Sequence, residues 1–347
     1  MINMKITAKT IAEQLGLSIA TVDRALNNRG KVSPKTLKKV LEKAEELNYK
    51  PNMSASLLSR KKQILIAIVF PVYPEYFWKE IEIGIMKTYK DLRDFGFEID
   101  IIRTKKFDIE EQVKVVQDII NSGDYDGLVL SANDAAPLMQ VINAGIESGF
   151  PIYTFNNDSP LSKRISYVGA DYQDSGRLAG ELLERFTHNS KKFALITDKM
   201  NTFQMQQKVL GFIDYLTQCN GMESIRPLKI SNTELSNLIM ELKQDIEQVD
   251  GIYVATGALA EVAREIEKMK LSKKPILIGH DMNKEIHHYL LNDVITATIC
   301  QDPVYQGALA VRKAFDHLML EEPIKVVEDI VKLEIVTKGN VKYYIHD

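Results

Sequence analysis

The sequence has little that could cross-link it, anchor it or equip it for catalysis. Its 347 residues include two cysteines, Cys219 and Cys300. That count argues against a disulfide framework and fits a reducing compartment, with two separately buried thiols as the expected state and a disulfide between them as the alternative. No apolar run reaches membrane-spanning length, and the opening MINMKITAKT lacks the apolar segment of a secretory signal. The expectation is a cytoplasmic protein with no membrane partner. Phosphate-cradling glycines are also missing. The first strand is followed by PVYPEYFW where a dinucleotide-binding chain would carry G-x-G-x-x-G, and neither G-x-x-x-x-G-K-S/T nor a G-x-S-x-G elbow occurs. His287 and His288 are adjacent on a predicted helix, so their side chains diverge and cannot chelate one ion together. His280 beside Asp281 reads as a hydrogen-bond partner lining a cleft in preference to a catalytic dyad. No cofactor, no metal and no enzymatic activity are expected.

What the chain does have is an uneven distribution of charge. Residues 1–62 carry 13 Lys and Arg against 5 Asp and Glu, whereas the other 285 carry 31 against 42. The overall −3 therefore conceals a head of +8 on a body of −11. A basic head is the electrostatic footprint of a phosphate partner.

The head is patterned as well as charged. Thr7 is placed to cap a first helix whose Ile11 and Leu15 share a face, and Gly16 breaks it. Ser18 can cap a second helix, with Val22 and Leu26 on its inner side and Ile19, Ala20, Asp23 and Arg24 pointing elsewhere. A third helix opens with Ser33 and Pro34 and carries the stripe Leu37, Val40, Leu41, Ala44 and Leu47. Two helices about a glycine turn, with exposed residues at the start of the second, form a helix-turn-helix. Pro51 ends the third helix, and the segment from Asn52 has room for about two helical turns, too few to be stable alone.

From Gln63 on, buried strands alternate with helices: ILIAIVF, FEIDIIRT, GLVLSA and PIYTFN, then FALITD, IRPLKI, GIYVAT and PILIGHD. Continuous apolar strands interleaved with helices signify parallel sheets covered on both faces. The alternation predicts two doubly wound lobes, with a ligand cleft at the carboxyl ends of the strands. The expected division is 1–50 helix-turn-helix, 51–62 linker and 63–347 body, with lobe 1 over about 63–164 and 299–320 and lobe 2 over about 165–298 and 321–347.

The pattern TIAEQLGLSIATVDRALN…VSPKTLKKVLEKAEELNYKPN closely resembles the head of the lac repressor (LacI/GalR) family of bacterial transcription regulators, and the body resembles the type I periplasmic binding proteins. The resemblance implies an α/β protein with a helix-turn-helix head, a hinge helix and a two-lobed body of doubly wound parallel sheets. It implies a homodimer, a palindromic double-stranded DNA operator and a small carbohydrate or polyol effector that controls DNA affinity. Ile19, Ala20 and Arg24 would lie nearest base edges, Thr21, Asn28 and the lysines nearest phosphate, with Ser18 among the DNA-binding residues. In the hinge, Leu58 would wedge into the minor groove with Ala55 on the same side.

Ligand contacts come from the resemblance to the ribose-binding branch. Phe77 and Trp78 follow the first strand, as stacking rings or as core. Asn156 and Asn157 end the fourth. Asp171 would contact the ligand or hold the hinge, and Asp281 and Gln301 match the branch's acidic and amide contacts. Two positions depart from the pattern: Gln206 stands where the family often has arginine, and Thr256 where the branch has asparagine. Losing the arginine argues against a phosphorylated or carboxylated effector. Asp23 stands where many members have serine, a carboxylate that DNA repels unless Arg24 or Lys31 neutralises it. The alternatives are a cytoplasmic sugar-binding module without DNA function and a sugar-acting enzyme.

Overall fold

The computed structural model describes residues 6–26, 32–47, 49, 62–105, 108–133, 136–187, 192–198, 202–220, 225–230, 246–269 and 271–344. The chain divides into two units, Met1–Gln63 and Ile64–Asp347.

In the first unit, α1 (Ala8–Leu15) starts with a reciprocal cap: the Thr7 hydroxyl accepts the Thr10 N–H, and the Thr7 N–H donates to the Thr10 hydroxyl. It stops at Gly16, whose φ of 63° suits a residue without a side chain. The Ser18 hydroxyl accepts the Thr21 N–H at 3.1 Å and opens α2 (Ile19–Leu26). Ser33 does the same for Thr36 ahead of α3 (Pro34–Glu46), with proline in the first turn. Helices of this length are marginal alone in water. They hold because Ile11, Val22 and Val40 are completely buried against one another, with Ala12, Ala25 and Ala44 filling between them.

The second unit runs β1 (Ile64–Pro71), α4 (Glu75–Leu92), β2 (Phe97–Thr104), α5 (Ile109–Ser122), β3 (Gly127–Leu130), α6 (Ala136–Glu147), β4 (Ile152–Phe155) and β5 (Tyr167–Gly169). It continues with α7 (Tyr172–Phe186), β6 (Phe193–Asp198), α8 (Phe203–Asn220), β7 (Ile225–Ile230), β8 (Gly251–Val254), α9 (Leu259–Lys268), β9 (Ile276–His280), α10 (Lys284–Leu291) and β10 (Ala297–Cys300). It ends with α11 (Pro303–Leu318), β11 (Glu328–Ile330) and β12 (Glu334–Val336). Among the described residues these strands make two six-stranded sheets of the same order, β11-β5-β4-β3-β1-β2 and β12-β10-β9-β8-β6-β7. All pairings are parallel except β10 with β12. No helix among the described residues is long and apolar enough to cross a membrane.

The lobe limits differ from the sequence-based ones. The strand Tyr167–Gly169, expected to begin lobe 2, pairs with β4 and belongs to lobe 1. Ala297–Cys300 lies wholly in the lobe 2 sheet, and Glu328–Ile330, expected in lobe 2, pairs with β5 in lobe 1. Strands of three or four residues carry no signal of which sheet they join, because backbone pairing across long sequence distances decides it. The chain thus crosses between lobes after β5, after β10 and after β11.

Each lobe brings two helices into backbone contact through glycine. A Cβ on Gly84 would lie 1.9 Å from the Val304 carbonyl oxygen, and one on Gly307 2.2 Å from that of Ile81, where α4 meets α11. Gly176 and Gly211 serve α7 and α8 likewise, each with a neighbouring backbone oxygen at 1.9 Å. Backbone cannot yield as a flexible side chain can, so Gly84→Ala should lower unfolding free energy by roughly 3 kcal/mol in urea titration. A loss under about 0.5 kcal/mol would contradict the close crossing.

Candidate functional site

The carboxyl ends of both sheets face a cleft enclosing a cavity of about 110 Å³. Lobe 1 contributes the turn after β1, with Tyr73 and Pro74, the start of α4 with Phe77 and Trp78, Asn133 after β3, and Asn156 to Asp158 after β4. Lobe 2 contributes residues 202–205 and Lys208 of α8, Ala255 to Gly257 after β8, and Asp281 after β9. Gln301 lies on the crossover after β10. The lobes meet at the side of this cavity, where the Tyr76 hydroxyl donates to the Gly257 carbonyl at 3.5 Å.

Asn156 and Asp281 occupy equivalent places, each directly after the third strand of its sheet order. Both have left-handed backbones, with φ of 57° and 68°. Asparagine and aspartate tolerate this region better than other side-chain-bearing residues, and such strain persists where the surroundings over-determine it. Here they do. The Asn156 carbonyl accepts from Tyr167 at 2.9 Å and Tyr172 at 2.7 Å, and the Asp281 N–H and carbonyl are held by Ile299 and the Thr298 hydroxyl.

A chain of amides joins the two. Asn156 Nδ2 donates to Gln306 Oε1 at 3.2 Å, Gln306 Nε2 donates to the Gln301 carbonyl at 2.7 Å, and Gln301 Nε2 donates to Asp281 Oδ1 at 3.0 Å. A polar path therefore runs from lobe 1 through the crossover into lobe 2 along the cavity wall. Burial pushes the Asp281 carboxyl up, while Lys208 and the Gln301 amide pull it down. Burial also pushes the Lys208 ammonium down to about 8, against the pull of Asp281. His280, hydrogen-bonded to the Tyr253 hydroxyl at 2.6 Å, is held well below its usual value by burial and then by Lys208, so it stays neutral behind the wall.

Of the candidates named from the sequence, Phe77, Trp78, Asn156, Asn157, Thr256, Asp281 and Gln301 line this one cavity. Trp78 is also core. It stacks on Phe70 at 5.3 Å and donates its indole N–H to the Tyr73 carbonyl, so one ring face is already covered. The Thr256 hydroxyl accepts the Ala258 N–H at the approach to α9. Asp171 does not line the cavity. Its carboxylate accepts the Asp174 N–H at 2.9 Å, capping α7 where the chain first crosses lobes. Gln206 does not line it either. Positions 204 and 208 fall on one face of α8 four residues apart and reach the cavity, whereas Gln206 points to the exposed side. The argument against a charged effector therefore loses its premise, because α8 does present a cation, Lys208.

Sequence reasoning missed Lys208, Asn133 and the buried amides behind them. Gln112 is completely buried, donating to the Ser131 carbonyl at 3.0 Å and accepting the Asn133 N–H at 2.8 Å, and so fixes the turn that presents Asn133. Arg164 holds Asp158 with two bonds of 2.6 and 2.7 Å and reaches Glu328 at 2.8 Å, tying the β4 end to β11. Breaking such a buried pair from one side leaves an uncompensated charge. Arg164→Met should destabilise the protein by about 3 kcal/mol or more in urea unfolding, and an unchanged midpoint would contradict the structural role.

In the head, Ser18, Ile19 and Ala20 are exposed at the start of α2 and Arg24 in its last turn, with Thr21 half-buried between them. Ile19 is 51 % exposed, unusual for a β-branched apolar residue, and Arg24 Nε donates to the Ala20 carbonyl at 3.0 Å along the same surface. Asn28, Ala55 and Leu58 lie outside the described residues.

Residues 7–52 match the model of bacterial regulatory proteins of the lacI family, and residues 66–322 that of a periplasmic binding protein domain. The sucrose operon repressor of Streptococcus mutans is 25% identical over 328 residues, 92% of each chain. The transcriptional regulator DegA of Bacillus subtilis is 30% identical over 210 residues, 60% of each. Among solved structures, the glucose-galactose binding protein GanP of Geobacillus stearothermophilus superposes with a TM-score of 0.71 at 24% identity, covering 81% of this chain and 99% of its own.

Proposed function

Because this chain belongs to the lacI family of bacterial regulatory proteins, and is a DNA-binding transcriptional regulator with a sugar-type effector domain, we propose that it works in the cytoplasm as a homodimeric repressor of a palindromic operator, governed by a monosaccharide-sized sugar or polyol in its cleft. The observation that carries this reading is a basic helix-turn-helix in one chain with a cavity walled by two lobes. A ligand touching both walls at once binds the closed arrangement more tightly than the open one. It therefore shifts the lobe equilibrium by that difference in affinity. One helix-turn-helix makes few base contacts, so two heads on a twofold axis are needed to specify an operator. Ile19 suits a thymine methyl, Arg24 a guanine edge, and Ser18 and Thr21 the phosphates. The DNA contacts of Asn28, Ala55 and Leu58 belong to the same proposal, as do the ligand contacts of the seven cavity-lining candidates. The cleft binds and releases its ligand unchanged, with His280 kept neutral behind the wall.

A thermal-shift screen against pentoses, hexoses, uronic and aldonic acids and linear polyols tests the effector reading. A ligand at a hundred times its dissociation constant adds about 2.7 kcal/mol to the folded state, a shift of several degrees. No shift with any of them would reject a sugar or polyol effector.

A further inference from the structure

The cavity contains one cation that a neutral sugar leaves largely unused. Lys208 is 5 % exposed, and its ammonium, with three N–H donors, makes a single hydrogen bond among the described residues, to the Ala255 carbonyl at 3.3 Å, and lies over the Tyr172 ring at 5.6 Å from its centre. No carboxylate oxygen of the described residues lies within 4.0 Å of it. Of the two carboxylates in the wall, Asp158 is already gripped by Arg164, and Asp281 accepts from Gln301. The pull of Asp281 is outweighed by desolvation, which leaves Lys208 depressed to about 8. A charge buried in this way is stabilised most by an anion in contact with it. Independently, Asn133 on the opposite lobe is 7 % exposed and its Nδ2 has no hydrogen-bond partner, although its backbone is fixed by Gln112. The cavity thus lacks acceptors on two sides and has an acceptor of its own, Asp281, for hydroxyl donors.

We propose that the effector is a monosaccharide acid, a uronate or aldonate, whose carboxylate docks on Lys208 while its oxygens and hydroxyls satisfy Asn133 and Asp281. The inference rests on the reading of the cleft as a sugar-effector site and narrows it. A phosphate ester fits less well: it brings close to two charges, and among the described lining residues Lys208 is the only cation to meet them.

The test is calorimetric titration of the full-length protein at pH 7 with D-glucuronate, D-galacturonate and D-gluconate, their neutral counterparts D-glucose, D-galactose and D-glucitol, and glucose 6-phosphate. At least one acid should bind ten-fold or more tightly than its neutral counterpart and than the phosphate. Lys208→Met, of similar volume, should abolish that preference. The same variant should melt no lower than the parent, since it removes a buried charge without a contacting counter-charge, whereas a merely structural lysine would melt lower when replaced. Neutral sugars binding as tightly as the acids, a tighter phosphate, or a preference unchanged in Lys208→Met would overturn the inference and leave the sugar-effector reading standing. Silence from every compound would overturn both.

Discussion

Asp281→Asn should weaken effector binding about 10- to 100-fold in calorimetry while leaving operator affinity without effector unchanged. The charge of Asp281 sits at the wall of the cavity, buried, with Gln301 on one oxygen. A sugar hydroxyl bonded to a buried carboxylate contributes about 1.5–3 kcal/mol, and every 1.4 kcal/mol is tenfold in affinity. Asparagine is the informative replacement because residue 281 has φ of 68°, a region asparagine adopts and alanine resists. Alanine would mix backbone strain with the lost contact. The reciprocal variant, Arg24→Ala, should lose DNA affinity and keep sugar affinity. Loss of both activities in either variant at wild-type stability would show that the two functions are not carried by separate surfaces.

The second large effect is electrostatic. The first 62 residues carry a net +8 although the whole chain is −3. A dimer presents that excess twice. Neutralising six to ten phosphates releases their counterions, so operator affinity should fall about 10³- to 10⁵-fold between 50 and 200 mM salt. Fluorescence anisotropy with a labelled duplex reads this directly. A slope near zero would mean that the basic residues of the head are solvated and meet no phosphate.

The head was legible because its signals are local. Thr7, Gly16, Ser18, Ser33 and Pro34 each act on the turn they occupy, and all five do in the structure what their chemistry predicts. The two lobes were legible because a strand buried on both faces must be apolar throughout, as in Ile64–Pro71. The first crossover was placed a few residues early because the three-residue strand β5 finds its sheet only through pairing with distant chain. In the cleft, strand-end residues such as Asn156 and Asp281 could be counted off, since a strand end fixes where the next side chain points. Lys208 could not be found that way, since a helix face depends on the register of α8. A signal was nonetheless present. Met205, Val209, Phe212 and Leu216 form the inward stripe of α8, and Lys208 lies on it, a cation at a core position. Gln112 and Gln306 gave no such cue, because a buried amide is indistinguishable in sequence from a surface one.

The reading of this chain as a transcriptional regulator depends on its head selecting DNA by sequence. The most direct measurement is enrichment of random-sequence duplexes by the purified full-length protein at about 0.15 M salt, followed by sequencing of the retained pool. The account predicts an inverted repeat whose half-sites match two heads related by a twofold axis, with base preferences that change in Arg24→Ala. A retained pool indistinguishable from the input would contradict it.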